Sequence, residues 1–420
     1  MQSIWQETKL KSYPSLNKDI TTEILVIGGG LCGILCASQL ASIHKVVLVE
    51  ANKISSSRTN KTTAVITALQ DLLYKDLIYQ KGKEAAKLYL EANLECIRKY
   101  EKLSKKYSFD FEKVDSYKYF KNNKSMMEEE YEAIKGLGYP VEIVDDYALC
   151  FKDQAQMNPL KLINQLADKI EIYENTKVIK IKKTTAFTEH NSISAKHIIV
   201  ATGYPFLKIK GLYPLKLTQK KSYVAVIDHM VNKQSFNAVG YESGDLYFRT
   251  YKDKLIIGGN DQRTGHDNGG YIPILNHILR HYADYPLLYQ WVNQDCVSLD
   301  GLPYIGRYDK KYKVYVATGF NLWGMTGAML AATILTDSIE NRNNKYSHLF
   351  NPKRKSPLYP ILKNTGIAFI NLMKPKKRCN HLGCALFYNK DEKVYECPCH
   401  GTKYDYAGNI VFNPANKNKK

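Results

Sequence analysis

Residues 24–50, ILVIGGGLCGILCASQLASIHKVVLVE, predict a strand, a helix and a second strand. The runs at residues 24–27 and 46–49 are short and continuously apolar, which is typical of parallel strands that are covered on both faces. The segment between them, up to Ser42, has a helical pattern. An α/β fold that starts from a strand–helix–strand unit is therefore expected.

Three glycines of this stretch form a G-x-G-x-x-G motif between the first strand and the helix. Gly28 permits the tight turn, Gly30 lets the backbone approach a pyrophosphate, and Gly33 lets the helix pack closely on the strand. The helix N-terminus offers unpaired N–H groups to phosphates. Glu50, at the end of the second strand, can accept hydrogen bonds from ribose hydroxyls. Together these features predict a dinucleotide site.

Six further segments follow in this order: SSSRTNKTTAVIT (55–67), QAQMNP (154–159), residues 176–178, ATGYP (201–205), DGLPYIG (300–306) and YVATGFNLWGMTGAMLAATIL (315–335). With the glycine motif, they resemble the D-amino-acid-oxidase-like flavoprotein superfamily. Their spacing over residues 20–340 is similar to that of a complete glycine-oxidase-like subunit. The resemblance implies that the dinucleotide is FAD rather than NAD. Because the sequence has no second G-x-G-x-x-G motif, a separate nicotinamide domain is not expected.

The resemblance also implies which positions lie near FAD. They are Gly28, Gly30, Gly33, Glu50, Ala51, Thr62, Thr63, Ala64, Val178, Ala201, Thr202, Gly203, Gly306, Gly319, Phe320, Asn321, Trp323, Gly324 and Met325. Val178, in a strand predicted at residues 176–178, is expected to meet the adenine through its backbone. A helix that begins near Gly324 would direct its positive end at the flavin. There it would stabilise the anionic reduced flavin by about 1 kcal/mol.

Near the C-terminus, the segments CNHLGC (379–384) and CPCH (397–400) carry a C-x-H…C-x-x-H pattern. The pattern resembles a Rieske [2Fe–2S] site of the respiratory-complex type. The resemblance implies that Cys379 and Cys397 hold one iron and that His381 and His400 hold the other. Neutral imidazoles in place of anionic thiolates raise the potential of such a cluster. Zinc at the same four ligands is the alternative metal.

The two remaining cysteines of these segments, Cys384 and Cys399, match a disulfide that ties the cluster loops together in Rieske domains. The alternative is two free thiols. A buried disulfide can persist in a reducing cell when it resists reduction thermodynamically. A full Rieske domain has a longer β-rich base before its first cysteine, so the shortened base here leaves room for the flavoprotein body to pack beneath the loops.

The domain organisation follows from these resemblances. A discontinuous, Rossmann-like FAD-binding domain is expected over residues 1–80, 150–220 and 296–345. It is interleaved with a substrate domain on a mixed or antiparallel sheet, residues 81–149 and 221–295. Residues 346–374 are polar and contain prolines, which predicts a linker. Residues 375–420 are expected to form a small β-rich cluster module.

Candidate substrate-contacting side chains are fewer. Arg249 lies in a hairpin predicted at residues 246–258, where its guanidinium could clamp a substrate carboxylate with two hydrogen bonds. The alternative is a structural arginine. Tyr223 and Trp323 are further catalytic candidates, for which packing in the core is the alternative interpretation.

The composition excludes several classes of protein. Of 420 residues, 44% are hydrophobic and 24% are charged, which is typical of a folded globular chain. The net charge of +19 is spread along the chain, and KPKKR (374–378) is its one concentrated basic run, which argues against a nucleic-acid partner. Attraction of small acids or membrane lipid stays open. We expect a cytoplasmic protein, since the sequence has neither a transmembrane segment nor a secretory signal.

Two redox sites in one chain lead to the hypothesis of a flavin dehydrogenase. It would oxidise a small amine, amino acid or hydroxy acid by hydride transfer to FAD. Electrons would then leave singly through the Rieske cluster to an unidentified one-electron carrier. The alternatives are a Rieske-fed flavin reductase with reversed electron flow and a non-catalytic redox sensor.

Overall fold

A computed structural model describes residues 2–205, 212–229, 235–242, 244–309 and 311–412. Its helices are α1 (Leu31–Leu40), α2 (Tyr74–Lys81), α3 (Lys83–Ser104), α4 (Lys124–Gly136), α5 (Pro159–Ala167), α6 (Tyr213–Lys216), α7 (Ile272–His281), α8 (Gly324–Ile339) and α9 (Leu358–Met373). Short 3-10 helices lie at Ile4–Glu7 and Thr59–Lys61. The end of the predicted cluster module, residues 413–420, lies outside the described residues.

The strands group into three sheets. In chain order they are β1 (Ile20–Ile27), β2 (Val46–Val49), β3 (Val65–Ile66), β4 (Glu112–Tyr119), β5 (Glu142–Val144), β6 (Ala148–Gln156), β7 (Glu171–Tyr173), β8 (Lys180–Lys182), β9 (Thr185–Phe187), β10 (Ser192–Gly203), β11 (Leu217–Ile227), β12 (Phe236–Gly240), β13 (Leu246–Tyr251), β14 (Lys254–Arg263), β15 (Leu287–Ser298), β16 (Tyr304–Arg307), β17 (Val314–Thr318), β18 (Phe387–Asn389), β19 (Val394–Glu396), β20 (Lys403–Tyr404) and β21 (Ile410–Phe412).

The first sheet contains the predicted strand–helix–strand unit. Its strand order is β16-β17-β10-β1-β2-β7, with β9 attached to β10 and β8 to β9. β1 runs parallel to both β2 and β10. Ile24 and Val26 of β1 pack into one hydrophobic core, whereas Leu25 and Ile27 pack into a second core. Because successive side chains point to opposite faces, a strand that is covered on both faces needs the continuous apolar run seen in the sequence.

The second sheet is mixed, as the sequence predicts for the substrate domain. Its order is β15-β11-β14-β13-β12-β4-β6-β3, with β5 attached to β6. β12 pairs with β4 in parallel, and its pairing with β13 is antiparallel. The predicted hairpin forms as β13 and β14, in which Tyr251 pairs with Lys254. Lys252 has a positive φ of 55° in the tight turn between them.

The helices cover one face of the first sheet. α8 packs against α1 and α3, and α1 packs against α5. α5 begins within the QAQMNP segment, where the side-chain oxygen of Asn158 accepts hydrogen bonds from the N–H groups of Leu160 and Lys161. This N-cap satisfies N–H groups that have no partner inside the helix.

The third sheet is small and antiparallel, with the order β18-β19-β20-β21. It forms the C-terminal module. The residues before it, 346–374, are predicted as a linker, yet they contain the sixteen-residue helix α9. A linker prediction from polar and proline residues misses this helix, because Pro357 and Pro360 lie at its start, where proline is tolerated.

The strand predicted at residues 176–178 is wrong. These residues follow β7 and precede β8 without joining a ladder in the described part of the sheet. Asn175 has a positive φ of 48° and turns the chain, and the N–H of Thr176 donates to the carbonyl oxygen of Glu50. The segment is a connection that crosses the end of β2.

Candidate functional site

A cavity of about 480 Å³ opens at the carboxyl ends of the parallel strands of the first sheet. Gly28 follows β1, Glu50 follows β2, and Gly319 follows β17. Open α/β sheets bind ligands at this edge, because loops from several strands converge there. The predicted FAD-binding residues that line the cavity are Gly28, Gly30, Glu50, Ala51, Thr62, Val178, Ala201, Thr202, Gly203, Gly319, Phe320, Gly324 and Met325.

Gly28 and Gly33 occupy positions where no side chain fits. The φ angle of Gly28 is 114°, and a Cβ atom there would lie 2.6 Å from the carbonyl oxygen of Ala201. A Cβ atom on Gly33 would lie 1.9 Å from the carbonyl oxygen of Gly28. Bare backbone therefore lets α1 pack closely on β1. The N–H groups at the start of α1 lie beside the cavity, where a pyrophosphate can accept them.

The carboxylate of Glu50 is held in the cavity by backbone groups. One oxygen accepts a hydrogen bond of 2.7 Å from the N–H of Gly29, and the other accepts one of 3.0 Å from the N–H of Asn52. Burial raises the pKa of Glu50, although these N–H donors act in the opposite direction. The carboxylate is thereby fixed at the end of β2, where such sheets recognise a ribose.

The hydroxyl-rich segment 55–67 is fixed through the three successive carbonyl groups of residues 61–63. The indole N–H of Trp291 donates to the first carbonyl over 2.7 Å, and that of Trp5 donates to the second over 2.6 Å. The guanidinium of Arg249 donates to the third. These three side chains hold the loop in a position where Thr62 lines the cavity.

Arg249 therefore supports the loop rather than a substrate. It is fully buried, its Nε donates to Gln156 over 2.9 Å, and its Nη2 donates to the Met157 carbonyl over 2.9 Å. The rings of Trp5 and Tyr251 lie 5.1 and 5.5 Å from the guanidinium. Burial lowers the pKa of Arg249 to about 9. This corrects the predicted carboxylate clamp, because the guanidinium donates to protein acceptors and is absent from the described lining of the cavity.

The other two catalytic candidates also lie away from the described cavity lining. Tyr223 is buried on β11, with its ring 4.9 Å from that of Tyr271. Trp323 immediately precedes α8, and its indole N–H donates to Asp71 over 3.2 Å. Tyr223 thus has the contacts of a packing residue, whereas the hydrogen bond of Trp323 to Asp71 is solvent-exposed.

The remaining predicted FAD-binding residues lie behind the cavity wall; they are Gly33, Thr63, Ala64, Gly306 and Asn321. Asn321 fixes the turn after β17, since its Oδ1 accepts the N–H of Ser298 over 2.7 Å and its Nδ2 donates to the carbonyl of Gly301 over 2.7 Å. Gly306 packs beside Pro352. The contact of these residues with FAD stays a prediction.

Helix α8 begins at Gly324, as the sequence predicts, and its first two residues line the cavity. Two non-glycine residues with positive φ, Asn321 (55°) and Leu322 (73°), turn the chain from β17 into the helix. The N-terminus of α8 carries a partial positive charge, which stabilises an anionic group placed there by about 1 kcal/mol.

Sequence reasoning missed the cations of the cavity, which are Lys53, Arg58, Lys61, Lys177 and Lys403. Arg58 donates to the Gln219 side chain over 3.0 Å and to the Thr202 carbonyl over 3.3 Å, and its Nε has no hydrogen-bond partner among the described residues. Burial lowers the pKa of both Arg58 and Lys61. The sequence signal for a basic cavity is the presence of Arg58 and Lys61 in segment 55–67, next to the predicted pyrophosphate site.

The four predicted cluster ligands converge in the C-terminal module. The Cys379 and Cys397 thiols interact directly, and this contact lowers the pKa of Cys379 to about 6. The rings of His381 and His400 lie 4.8 Å apart. Burial lowers the pKa of His381 to about 4 and that of His400 to about 3, so both imidazoles are neutral at pH 7. Neutral imidazole is the form that binds a metal.

The histidine nitrogens are oriented for ligation. Nε2 of His400 lies 3.2 Å from the carbonyl oxygen of Pro214, which can only accept, so Nε2 carries the proton. Nδ1 then has the free lone pair. The Nδ1 atoms of both His381 and His400 are buried without a hydrogen-bond partner among the described residues. Two buried, unpartnered Nδ1 atoms beside two thiols fit the mixed ligand set of a Rieske cluster.

The Cys384–Cys399 disulfide forms as predicted and joins the two cluster loops. The Sγ atoms of Cys384, Cys397 and Cys399 lie within 4.8 Å of one another. Because two of these three sulfurs are bonded to each other, Cys397 alone of this group is available as a thiolate ligand. The disulfide thus braces the loop at residues 397–400, which carries Cys397.

The module is seated on the flavoprotein body, which replaces the missing base. Lys221 of β11 and Glu396 of β19 form an ion pair of 2.9 Å in which both side chains are 2% exposed. Burial opposes ionisation of Glu396, but the nearby Lys403 and Lys221 outweigh it and lower its pKa to about 2. Arg263 donates to the carbonyl of Pro398 over 2.7 Å. Polar and charged contacts therefore fix the module in one orientation.

The two sites share structural elements. Thr202 and Gly203 line the cavity, and the next residue, Tyr204, packs its ring against both cluster histidines. From the other side, β21 of the module contributes its residues to the cavity wall. The side chain of Gln219 donates to the carbonyl of His400 over 2.5 Å and accepts from Arg58. The described geometry thus places a nucleotide cavity and a metal-ligand cluster on opposite sides of a thin protein wall.

The comparisons with known proteins agree with both sites. A family model described as FAD dependent oxidoreductase matches residues 23–338, and one described as Rieske [2Fe-2S] domain matches residues 372–420. The Rieske 2Fe-2S iron-sulfur protein YhfW of Bacillus subtilis (strain 168) is 29% identical over 99% of this chain and 96% of its own length.

Solved structures show the same fold for the larger part of the chain. Glycine oxidase from Geobacillus kaustophilus has a TM-score of 0.69 at 16% identity, covering 80% of this chain and 100% of its own. L-proline dehydrogenase from P. horikoshii has a TM-score of 0.68 at 16% identity, covering 80% and 98%. Among the described helices, none combines the length and the apolar character needed to cross a bilayer.

Proposed function

Since the chain belongs to the FAD dependent oxidoreductase family and carries a Rieske [2Fe-2S] domain, we propose that it is a dehydrogenase with an internal electron relay. FAD and the [2Fe–2S] cluster are its cofactors. The substrate is a small amine, amino acid or hydroxy acid, with a CH–NH or CH–NH2 donor favoured. Electrons leave one at a time for an external one-electron carrier.

The observation that carries this proposal is the wall common to both sites. Residues 202 and 203 line the nucleotide cavity, and Tyr204 contacts the rings of His381 and His400. His400 is also buried against the carbonyl of Pro214. A cluster whose histidine side is covered by the flavoprotein body is suited to exchange electrons with the flavin on that side.

The chemistry divides between cofactors and protein. When bound, FAD accepts a hydride from the substrate carbon, and the cluster carries electrons one at a time. The substrate loses this hydride and one proton, which leaves an imine or a carbonyl group, and the carrier receives two electrons in two steps. The chain supplies position: its glycine turn, its buried cations and the fixed loop 55–67 hold the nucleotide, and the N-terminus of α8 favours added negative charge.

The nature of the donor is supported by the names of the solved relatives. Glycine oxidase and L-proline dehydrogenase each share their fold with 80% of this chain. Both names specify an amino acid, one with a primary and one with a secondary amine. We therefore favour oxidation at a carbon bonded to nitrogen over oxidation of a hydroxy acid.

The test is anaerobic reduction of the purified holoprotein with a panel of small amino acids and secondary amines. Visible absorbance reports the flavin, and EPR reports the cluster. The expected result is that one class of donor bleaches the flavin and that the cluster signal of the reduced state follows. The matched control is Cys397→Ser, which removes a cluster ligand; its flavin should still bleach, without a cluster signal.

Two outcomes would overturn the proposal. If the flavin bleaches in the wild-type protein while the cluster stays oxidised, the relay does not exist. If no donor bleaches the flavin, but a reduced one-electron carrier reduces first the cluster and then the flavin, the flow runs in the opposite direction and the protein is a Rieske-fed reductase.

A further inference from the structure

Helix α9 presents its apolar residues to solvent and its polar residues to the protein. Its two buried residues are Asn364 and Asn371. Asn364 accepts a hydrogen bond of 2.6 Å from Arg263, and the backbone carbonyl of Asn371 accepts the N–H of Ala385. An ordinary surface helix has the reverse arrangement, with its apolar face toward the core.

The exposed apolar residues of α9 form one continuous stripe, which we call the α9 face. Their exposed fractions range from 41% to 75%, and they are Leu358, Tyr359, Leu362, Phe369, Ile370, Leu372 and Met373. At about 100° per residue, they cover about 160° of the helix circumference, opposite the two buried asparagines. Contiguous exposed apolar surface on a folded protein marks a binding surface.

The charge around the α9 face is of one sign. Residues 341–390 contain eleven lysines and arginines and no aspartate or glutamate. Lys363 borders the stripe within the helix, and the run KPKKR (374–378) follows its end. Over the described ranges, Lys363, Lys376 and Lys377 form no ion pair with an acidic side chain. An apolar stripe with a basic rim is the pattern of a helix that lies in the headgroup region of a membrane.

From this pattern we infer that the α9 face docks on the surface of an anionic lipid bilayer. A second copy of the chain fits less well, because a symmetric interface would bring two basic rims together. Sixteen residues lying in the interface plane need no spanning segment. The occupant that matches both the apolar stripe and the positive rim is a bilayer with negative headgroups.

Docking through this face would turn the cluster module toward the membrane. Leu382, which follows the ligand His381, is 53% exposed, and its neighbour Gly383 packs beside Leu372 of α9. The loop that carries one cluster histidine therefore adjoins the α9 face. A one-electron carrier held at the bilayer surface would meet the protein on the side of its cluster.

The test is flotation of the full-length holoprotein with vesicles of phosphatidylcholine alone or of phosphatidylcholine mixed with phosphatidylglycerol. The expected result is binding to the mixed vesicles, which weakens as salt is added, and little binding to phosphatidylcholine. Leu362→Gln combined with Phe369→Gln should lower the partition coefficient by about tenfold or more. Visible spectra of FAD and cluster report whether this variant is intact, and Leu358→Gln combined with Met373→Gln replaces it if it is not.

Charge and control variants complete the design. Replacing Lys363, Lys376 and Lys377 together by glutamine should reduce binding to mixed vesicles to the level seen with phosphatidylcholine. Ile43→Gln combined with Tyr79→Gln removes two exposed apolar side chains outside α9 and should leave binding unchanged.

Several results would overturn the inference. They are the absence of binding to either vesicle, equal binding to both, or binding that the α9 variants do not change. Vesicle-free self-association that is abolished by the Leu362 and Phe369 substitutions would assign the α9 face to a second copy instead.

Discussion

The ring of Tyr204 lies 6.1 Å from the ring of His400, and one residue before Tyr204 the backbone lines the nucleotide cavity. The same ring lies 6.3 Å from His381, and the two contacts are edge-on. Its hydroxyl is buried without a hydrogen-bond partner among the described residues. The contribution of Tyr204 is therefore its ring, which fills the space between β10 and the cluster histidines.

Substitution of Tyr204 should separate the effect of the ring from that of the hydroxyl. Tyr204→Ala should cost about 3–5 kcal/mol of module stability, because it leaves a cavity beside the histidines. Tyr204→Phe should stay within about 1 kcal/mol of the wild type, since it removes only an unpaired polar group. The measurement is anaerobic urea unfolding followed by the visible absorbance of the cluster. Equal losses in both variants would contradict a role that rests on the ring.

The buried ion pair between Lys221 and Glu396 should hold the module on the body. Glu396→Gln leaves Lys221 buried without a carboxylate, while Lys403 keeps its ion pair with Glu392, and should cost about 3–5 kcal/mol. Lys221→Met should cost less, because Glu396 keeps Lys403 at 3.4 Å. The rate of limited proteolysis in the segment between body and module measures how readily the module separates from the body. A larger effect of Lys221→Met than of Glu396→Gln would show that the pairing is not what seats the module.

The loop at residues 61–63 should set the affinity for FAD, and Trp291 and Trp5, which do not line the described cavity, should act on this affinity only through the loop. Trp291→Phe and Trp5→Phe each remove one hydrogen bond to a loop carbonyl, worth about 1 kcal/mol, and each should weaken FAD binding about fivefold. Equilibrium titration of the apoprotein with FAD, followed by flavin fluorescence, measures this. Tyr79→Phe, at an exposed position of α2, is the control, and its affinity should match that of the wild type. Unchanged affinity in both tryptophan variants would show that these contacts to the loop do not set the affinity for FAD.

Acid should destabilise the protein in part through His197. Burial lowers its pKa to about 4, and nearby cations, with Lys313 foremost, act in the same direction. The unfolded chain therefore binds more protons between the ordinary pKa of about 6.5 and pH 4, so stability falls as the pH drops through this window. His197→Gln should make the loss of stability from pH 7 to pH 5 smaller than in the wild type, as measured by urea midpoints. An identical loss in the two proteins would assign the acid sensitivity to other groups.

Features encoded by short, local patterns could be predicted from the sequence. The first sheet follows from the apolar runs at residues 24–27 and 46–49, and the start of α8 at Gly324 follows from the glycine after a buried strand. The resemblance of two short segments to a Rieske site implies the Cys384–Cys399 disulfide, which the structure shows, and the four cluster ligands, which the structure brings together. In each case, the residues that decide the structure are neighbours in the chain.

Features that depend on distant partners could not be predicted. Arg249 looks like a substrate clamp until Thr63, more than 180 residues earlier, is seen to accept its hydrogen bond. The linker prediction misses α9 because Pro357 and Pro360 lie at its start, and the sequence alone does not show that its apolar stripe faces away from the protein. Residues 176–178 have the composition of a strand, but Asn175 turns them out of the sheet.

The internal relay is tested most directly by light-driven reduction of the bound FAD, which needs no knowledge of the substrate. A short pulse, with EDTA as the sacrificial electron donor, reduces the flavin under anaerobic conditions. Absorbance and EPR then follow the recovery of the flavin and the reduction of the cluster. The account predicts that the cluster becomes reduced as the flavin recovers, with a rate that does not change when the protein is diluted. A rate that falls in proportion to protein concentration, or a cluster that stays oxidised, would contradict it.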